Sequence, residues 1–232
     1  MQGKAIATRV TDAVTTTRDA VRSALPAGFA TAVASQPRIG TLSGLKGEFI
    51  RKSLHMTIAL VPAIATVAGV FSTLALLAAG VLAYTAAEYV RLQGHSVVFI
   101  SSVTILASRE RDRGHFVAGP VTLGIGTMLA LLLYPAPAAF LAIYALAFGD
   151  GLAALIGRAF GTIQILPGTS LEGSLACFVA VYAAAYVVTG RLTESIVLAL
   201  AATMLEALPT NDMDNIILPV GVGLLATLIL QL

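Results

Sequence analysis

Residues 136–159 read APAAFLAIYALAFGDGLAALIGRA, an apolar stretch that contains a single acidic side chain, Asp150. A helix of about 20 such residues crosses the hydrocarbon core of a bilayer. Other apolar stretches of similar length lie on both sides of this one. Only 11% of the 232 residues are charged, whereas about a quarter are charged in a soluble globular protein. The sequence therefore predicts an integral, multi-pass membrane protein of the all-α class.

The apolar stretches together predict about seven transmembrane helices. The nearly uncharged run at residues 53–89 is long enough for two short spans with a break near Gly69. The remaining spans are expected at residues 115–134, 136–159, 173–189, 192–208 and 214–232. The apolar run at residues 97–107 is too short to cross easily, so it is expected to lie at the membrane interface.

The first 45 residues have a different pattern. Residues 1–25 place apolar side chains at helical spacing with arginines elsewhere, which predicts an N-terminal amphipathic helix on an anionic membrane surface. An irregular tail fits this pattern equally well. Residues 26–45 are rich in Gly, Pro, Ser and Thr, which is typical of a linker. We therefore divide the chain into a surface helix and linker at residues 1–45 and a transmembrane catalytic domain at residues 46–232.

The distribution of basic residues predicts the orientation in the membrane. Lys46, Arg51 and Lys52 precede the first span, a group of arginines at residues 91–113 follows the second, and Arg158 follows the fourth. Because positive residues concentrate on the cytoplasmic side, these segments and the N-terminus are expected to be cytoplasmic. A net charge of +2, without a basic run interleaved with aromatics, gives no indication of nucleic-acid binding.

Four polar clusters lie at the expected cytoplasmic ends of the spans. In the first, Glu48, Arg51, Lys52 and His55 have the spacing i, i+3, i+4 and i+7, which places them on one face of a helix. Ordinary topogenic charge at a helix start accounts for the two basic residues but not for His55 on the same stripe. The first cluster is therefore a candidate part of a site.

The second cluster surrounds Asp150, which lies inside an apolar span. An isolated carboxylate in that position is costly, so it normally faces a partner or a wet cavity. Gly149, Gly151, Gly157 and Gly161 flank it, and glycine lets the backbone bend or lets a ligand approach closely. A carboxylate paired with an arginine for packing is the structural alternative.

The third and fourth clusters follow along the chain. Residues 167–174 offer hydroxyls, glycines and free backbone N–H groups at a helix start, which suit phosphate oxygens. A capping box explains Glu172 equally well. Residues 206–219 contain Glu206, Asp214 and Asn215, whose oxygens are hard ligands that suit Mg²⁺. For the neighbouring Asp212 we favour a solvated turn.

In this order, the four clusters resemble the CTP-dependent lipid kinase family. This family includes dolichol kinase, phytol kinase and the CTP-dependent diacylglycerol kinases, and it is related to phosphatidate cytidylyltransferases. The resemblance covers roughly residues 45–232. Glu88 with Arg91, and Arg109 with Glu110, also resemble family positions. One departure is the absence of the lysine that the family often has just before its Ser/Thr-x-Glu-Gly string, where this chain has Gly168 and Thr169.

The resemblance implies an enzyme that transfers the γ-phosphoryl group of CTP to the hydroxyl of a membrane lipid alcohol. The alcohol would be a polyprenol or dolichol, phytol, or diacylglycerol, and the site would face the cytoplasm. The implied catalytic residues are Asp150, His55 and Glu172. The implied phosphate-binding residues are Arg51, Lys52, Ser170, Gly173 and Ser174. The implied Mg²⁺ ligands are Asp150, Asp214, Asn215 and Glu206. The general base, the choice between CTP and ATP, and any homo-oligomer are left open.

Two other functions compete with the kinase. A cytidylyltransferase that makes a CDP-lipid from a lipid phosphate would share the Asp150 and Ser-x-Glu-Gly elements, but the Arg-Lys-x-x-His stripe favours the kinase. A small transporter would use Asp150 as its coupling site. Such sites generally lie at the midplane between repeated halves. This sequence shows no internal repeat, and its polar groups gather at one face.

Overall fold

The computed structural model describes residues 42–94, 115–166, 168–208 and 213–232. The α-helices in this part of the chain are α1 Leu42–Met56, α2 Val61–Ala68, α3 Val70–Leu92, α4 Gly119–Leu133, α5 Ala138–Tyr144, α6 Gly151–Phe160, α7 Leu171–Thr189, α8 Leu192–Glu206 and α9 Asp214–Leu230. A 3₁₀ turn, Thr57–Leu60, joins α1 to α2, and a π-helical turn, Ala145–Asp150, joins α5 to α6. The all-helical prediction is confirmed except for one short hairpin, β1 Gln164–Leu166 and β2 Thr169–Ser170, whose strands pair antiparallel.

Within the described ranges, three helices are long and apolar enough to cross a membrane, namely Val70–Leu92, the continuous helix Ala138–Phe160, and Leu171–Thr189. The prediction of a membrane protein is confirmed at this level. The helices at the other expected spans, α4, α8 and α9, have 15, 15 and 17 residues. At 1.5 Å per residue these are about 22–26 Å long, less than the roughly 30 Å hydrocarbon core. The number of seven spans therefore stays a prediction.

The boundaries of the first helices also bear on the sequence predictions. The expected break near Gly69 is present, because α2 ends at Ala68, α3 begins at Val70 and Gly69 has φ +83°. That left-handed conformation favours glycine. Helix α1 begins at Leu42, so it starts inside the segment that we expected to be linker. The predicted surface helix at residues 1–25 and the predicted interfacial run at 97–107 lie outside the described residues.

The helix Ala138–Phe160 lies at the centre of the bundle. Ile143 and Leu146 are fully buried, and so are most of the alanines that surround them in the sequence. Small side chains let neighbouring backbones approach closely, which is how helices associate where no water is present to drive apolar contact. Helices α7, α8 and α9 pack around this helix. Asp150, at the end of its π-helical turn, is therefore placed within the bundle rather than on its surface.

A stripe of small residues joins this central helix to α7. A Cβ atom added to Gly149 would lie 2.9 Å from Val181 Cγ2, and one added to Gly173 would lie 2.8 Å from the Ala153 carbonyl oxygen and 3.2 Å from Gly157 Cα. Gly149 thus packs against α7, and a Cβ atom added to Gly151 would lie 2.8 Å from Met56 Cγ of α1. The expectation that these glycines bend the backbone or admit a ligand stays a prediction.

Candidate functional site

Asp150 lies against two side chains from α1. The Lys52 ammonium nitrogen is 2.5 Å from Asp150 Oδ2, and His55 Nε2 is 3.1 Å from the same oxygen. The three residues are only 5%, 2% and 4% exposed, in the order Asp150, Lys52, His55. Pairing a buried carboxylate with a buried ammonium offsets part of the large cost of removing both from water. Lys52 and His55 thus share the face of α1 that the spacing of the first cluster predicts.

His55 also contacts the π-helical turn. Its Nε2 lies 2.9 Å from the Leu146 carbonyl oxygen, so two acceptors surround this one nitrogen. A ring nitrogen between two acceptors carries the proton and donates it. Donation from Nε2–H to the Leu146 carbonyl oxygen therefore ties His55 to the π-helical turn, with Asp150 Oδ2 close to the same nitrogen. Turns of this type are frequent at functional sites.

Both of these contacts use one oxygen of Asp150. Oδ2 binds Lys52 and His55, while Oδ1 has no hydrogen bond from any residue that the structure describes. A carboxylate has about four lone-pair positions on two oxygens, so the second oxygen retains its capacity to bind a ligand. Asp150 can thus be held firmly by the protein and still present an oxygen to a bound group.

Glu48, the first residue of the stripe, binds arginines from two helices. Arg51 Nη2 donates to Glu48 Oε1 over 2.5 Å and Arg51 Nε donates to Oε2 over 3.3 Å. From α6, Arg158 Nη2 lies 3.6 Å from Glu48 Oε2. Burial disfavours the charged form of Glu48, but the Arg51 hydrogen bond and the nearby positive charges outweigh it and hold the pKa of Glu48 below its ordinary value. Glu48 is therefore an ionised anchor for two guanidinium groups.

Residues of the fourth cluster, Asp214 and Glu206, interact electrostatically with residues of the first two clusters. Burial opposes the charged form of Arg51, but its hydrogen bond to Glu48 and the negative charges of Glu48, Asp150 and Asp214 raise its pKa above the ordinary value. Asp150 and Asp214 also act electrostatically on Glu206. The structure thus brings the first, second and fourth clusters together in one region.

Glu206 has an unusual environment in this region. Its Oε2 atom is buried and has no hydrogen-bond partner in the described part of the chain. A buried polar atom without a partner costs free energy, so such an atom calls for a specific explanation. A ligand that binds between Asp150 and Glu206 would supply one.

Asn215 has a different position from the one we predicted. Its side-chain Nδ2 donates to Thr122 Oγ1 over 2.9 Å and to the Gly119 carbonyl oxygen over 3.4 Å. These bonds fix the start of α9 against the start of α4. The two helices are very close there, since a Cβ atom on Gly126 would lie 1.9 Å from the Asn215 carbonyl oxygen. A metal-ligand role for Asn215 stays a prediction.

The third cluster builds the start of α7. Ser170 is the N-cap, and its hydroxyl oxygen accepts a hydrogen bond from the Gly173 backbone N–H over 3.1 Å. The Glu172 carboxylate accepts from the Thr162 backbone N–H over 2.8 Å, from the Thr162 hydroxyl and from the Ile163 backbone N–H. The helix cap of the structural alternative is thus present at Ser170, whereas Glu172 binds the preceding loop and does not complete a capping box. None of these partners of Glu172 belongs to the cluster around Asp150.

Glu88 and Arg91 form a second buried ion pair. Glu88 is fully buried and accepts two hydrogen bonds of 2.7 Å from Arg91 and one of 3.0 Å from the Val117 backbone N–H. Arg91 also donates to the His115 carbonyl oxygen over 3.0 Å. This pair connects the end of α3 to the segment that precedes α4. Arg109, Glu110 and Asp212 lie outside the described residues.

The residues of this region fit only part of a metal site. Among the described residues, no group of three or more His, Cys, Asp or Glu side chains is placed to hold a metal ion. In nucleotide sites Mg²⁺ commonly takes one or two carboxylates and completes its shell with phosphate oxygens and water. Asp150 Oδ1 and the unpartnered Oε2 of Glu206 suit such a site, since both are carboxylate oxygens without protein partners.

Two contacts of the site were not predicted from the sequence. We assigned Lys52 to phosphate and Asp150 to a metal, whereas the structure pairs them directly. The signal was present, because a buried carboxylate in a span requires a partner and the first cluster offers a lysine. The contact of Arg158 with Glu48 had no comparable signal, since it depends on how α1 packs against α6.

Comparison with known proteins gives one distant relative. The chain is 28% identical over 163 residues to a Triticum aestivum protein named probable phytol kinase, chloroplastic, and the alignment covers 60% of this chain and 54% of the wheat protein. The chain thus spans about half the length of the curated relative that it matches. No family model matches the sequence, and no solved structure matches the chain. The similarity agrees with the family that the four sequence clusters resemble.

Proposed function

We propose that this protein is a membrane kinase that transfers the terminal phosphoryl group of CTP to the hydroxyl of a lipid alcohol. The observation that carries the proposal is the buried Asp150 centre, in which one carboxylate oxygen contacts Lys52 and His55 while the other has no hydrogen-bond partner among the described residues. Arg51 and the unpartnered carboxylate oxygen of Glu206 belong to the same region. The similarity to the wheat protein named probable phytol kinase supports the same class of reaction.

Phosphoryl transfer requires charge neutralisation and in-line positioning of the reacting groups rather than covalent catalysis by the protein. The lipid hydroxyl oxygen attacks the γ-phosphorus, the bond between the γ-phosphorus and the bridging oxygen of the β-phosphate breaks, and CDP leaves. The proton of the alcohol passes to a carboxylate of the site. Arg51 stabilises the charge of the phosphates, since its guanidinium matches phosphate geometry. His55 binds the turn that carries Asp150, through its hydrogen bond to the Leu146 carbonyl oxygen.

A bound Mg²⁺ would supply charge neutralisation on the transferring phosphoryl group. Asp150 Oδ1 and Glu206 Oε2 would hold it, with Asp214 as a further carboxylate in the region. Few protein ligands suffice, because the nucleotide contributes its own phosphate oxygens.

The position of Asp150 also suits a lipid substrate. It lies in the middle of the helix Ala138–Phe160, which is long and apolar enough to cross a membrane. A carboxylate at such a position reaches a hydroxyl group whose hydrocarbon chain stays in the bilayer. Polyprenols, dolichol, phytol and diacylglycerol all have this arrangement of one hydroxyl on a long apolar body. We propose a lipid alcohol of this class as the acceptor, with a cytoplasmic site as predicted from the arginine distribution.

The test is a phosphoryl-transfer assay with the purified full-length chain in lipid nanodiscs. CTP and ATP labelled at the γ-phosphate are compared against phytol, a polyprenol and diacylglycerol, with Mg²⁺ present. We expect a labelled lipid phosphate and stoichiometric CDP. An absence of transfer from either nucleotide to any alcohol would contradict the proposal. Release of pyrophosphate with formation of a CDP-lipid from phosphatidate would replace it with cytidylyl transfer.

A further inference from the structure

Two guanidinium groups from different helices share one buried carboxylate at the edge of the site. The Glu48 side chain is 4% exposed, the Arg51 side chain is 24% exposed and the Arg158 side chain is 50% exposed. Among these three side chains the positive charges outnumber the negative charges by one, but the carboxylates of Asp150 and Asp214 also act on Arg51, so the half-exposed Arg158 is the cation most open to an anion. Because Glu48 is buried beneath them, both arginines are fixed at their carboxylate side and open on the other. This arrangement is a candidate anion site.

Arg158 has the greater capacity to bind a ligand. Arg51 already gives two hydrogen bonds to Glu48, whereas Arg158 Nη2 is 3.6 Å from Glu48 and donates no hydrogen bond to a described residue. A guanidinium carries five N–H donors in a planar fork, which matches two oxygens of a phosphate. Arg158 thus lies near Glu48 without a hydrogen bond to a described residue, so its donors remain for another partner.

An ordinary role for Arg158 is to stabilise the end of α6, since it lies in the last turn of that helix. The chain offers a surface pair for comparison. Arg191 Nη1 lies 3.7 Å from Glu194, with 54% of the arginine side chain and 29% of the glutamate side chain exposed. Exposed pairs of this kind contribute little to stability. Arg158 differs because its carboxylate is buried and is already bound in a bidentate manner by Arg51.

We propose that Arg158, together with Arg51, binds the phosphates of the nucleotide that are not transferred, which deepens the proposed kinase function and rests on it. Arg158 follows Asp150 by eight residues on one continuous helix, which is a rise of about 12 Å at 1.5 Å per residue. Arg51 and Arg158 both contact Glu48, so the two guanidinium groups lie on the same side of the site. The terminal phosphoryl group lies at Asp150, and the remaining phosphates extend towards Arg158.

This assignment also explains the departure from the family pattern. The family often has a lysine just before its Ser/Thr-x-Glu-Gly string, where this chain has Gly168 and Thr169. Helices α6 and α7 pack closely at Gly157 and Gly173, so the last turn of α6 lies beside the start of α7. Arg158 directly follows Gly157, so it is the basic residue of α6 that lies nearest in the chain to this contact.

The test compares Arg158→Gln with Arg191→Gln, the matched change at the surface pair. The measurements are KM and kcat for CTP with Mg²⁺, and the rise in melting temperature caused by CTP or by inorganic tripolyphosphate. We expect Arg158→Gln to raise KM by roughly 10- to 100-fold, the effect of losing one hydrogen bond to a charged group, with kcat little changed. The rise in melting temperature caused by tripolyphosphate should also be smaller in Arg158→Gln than in the wild type. Arg191→Gln should behave as the wild type, and Arg158→Lys should recover part of the loss.

Several outcomes would overturn the inference. Equal KM values and equal tripolyphosphate shifts in the two glutamine variants would remove Arg158 from the site. A dependence on Arg158 that appears only when the nanodiscs contain phosphatidylglycerol, and is absent in phosphatidylcholine, would assign the arginine to a lipid headgroup. Because tripolyphosphate binding is measured without turnover, it tests Arg158 even if the wild type transfers no phosphoryl group, which would contradict the proposed function alone. Melting temperatures without ligand identify a variant that fails to fold.

Discussion

Replacing Asp150 by Asn separates the two roles of this carboxylate, because it keeps the shape of the side chain and removes its charge. Lys52, which is 2% exposed, would then be a buried ammonium without its counterion. Removing one partner of a buried ion pair typically costs about 3–5 kcal/mol. Asp150→Asn should therefore lower the melting temperature. It should also lower turnover by about 10²–10³, the usual effect of losing a group that acts directly on developing charge.

The double variant Lys52→Met/Asp150→Asn distinguishes stability from chemistry. It removes both charges, so it should be more stable than either single variant, since an apolar replacement of a buried ion pair is often neutral or better. Its turnover should stay as low as that of Asp150→Asn. The assay is a set of melting temperatures in detergent for the four proteins, with turnover normalised to folded enzyme. Near-normal turnover in Asp150→Asn would remove Asp150 from the site, and a double variant no more stable than the singles would contradict the pairing.

Gly173→Val should lower the melting temperature, because its Cβ atom would lie 2.8 Å from the Ala153 carbonyl oxygen, whereas Gly80→Ala meets nothing within 4 Å and serves as the control. Equal melting temperatures would contradict the close helix contact. Glu48 has a pKa below its ordinary value of 4.5, so its ion pairs stabilise the fold above that pH and the stabilisation is lost as the pH falls through the lowered pKa. The free energy of unfolding should thus fall less with decreasing pH in Glu48→Gln than in the wild type. An equal pH dependence in the two proteins would contradict an ionised Glu48.

The helices were predictable because their signals are local. Apolar length located the helix around Asp150 and α7, and the glycine at position 69 marked a true break. The stripe on α1 was also predictable, because helical spacing alone places its members on one face. Near Asp150, the expectation that a buried carboxylate needs a partner was correct, and the partner was already among the named residues.

The roles of Ser170, Glu172 and the glycines near Asp150 could not be predicted, because they depend on contacts between segments that the spacing of residues does not reveal. Ser170 and Glu172 have the residue types of both a phosphate site and a helix start, and only the hydrogen bonds to Gly173 and Thr162 show that they build the helix start. The glycines around Asp150 fit a ligand site and a helix contact equally well by sequence. Their packing contacts became visible only when α7 was seen against the central helix, since packing between distant segments is not encoded in the periodicity of either one.

The pairing of Lys52 with Asp150 has a consequence for biosynthesis. The two residues are 98 positions apart, so the lysine leaves the ribosome long before its carboxylate does. An unpaired ammonium is costly in hydrocarbon, so we expect α1 to stay at the aqueous surface of the membrane until the helix that carries Asp150 has been made. The pair of Lys52 and Asp150 is thus completed late in synthesis, although Lys52 is made well before its partner.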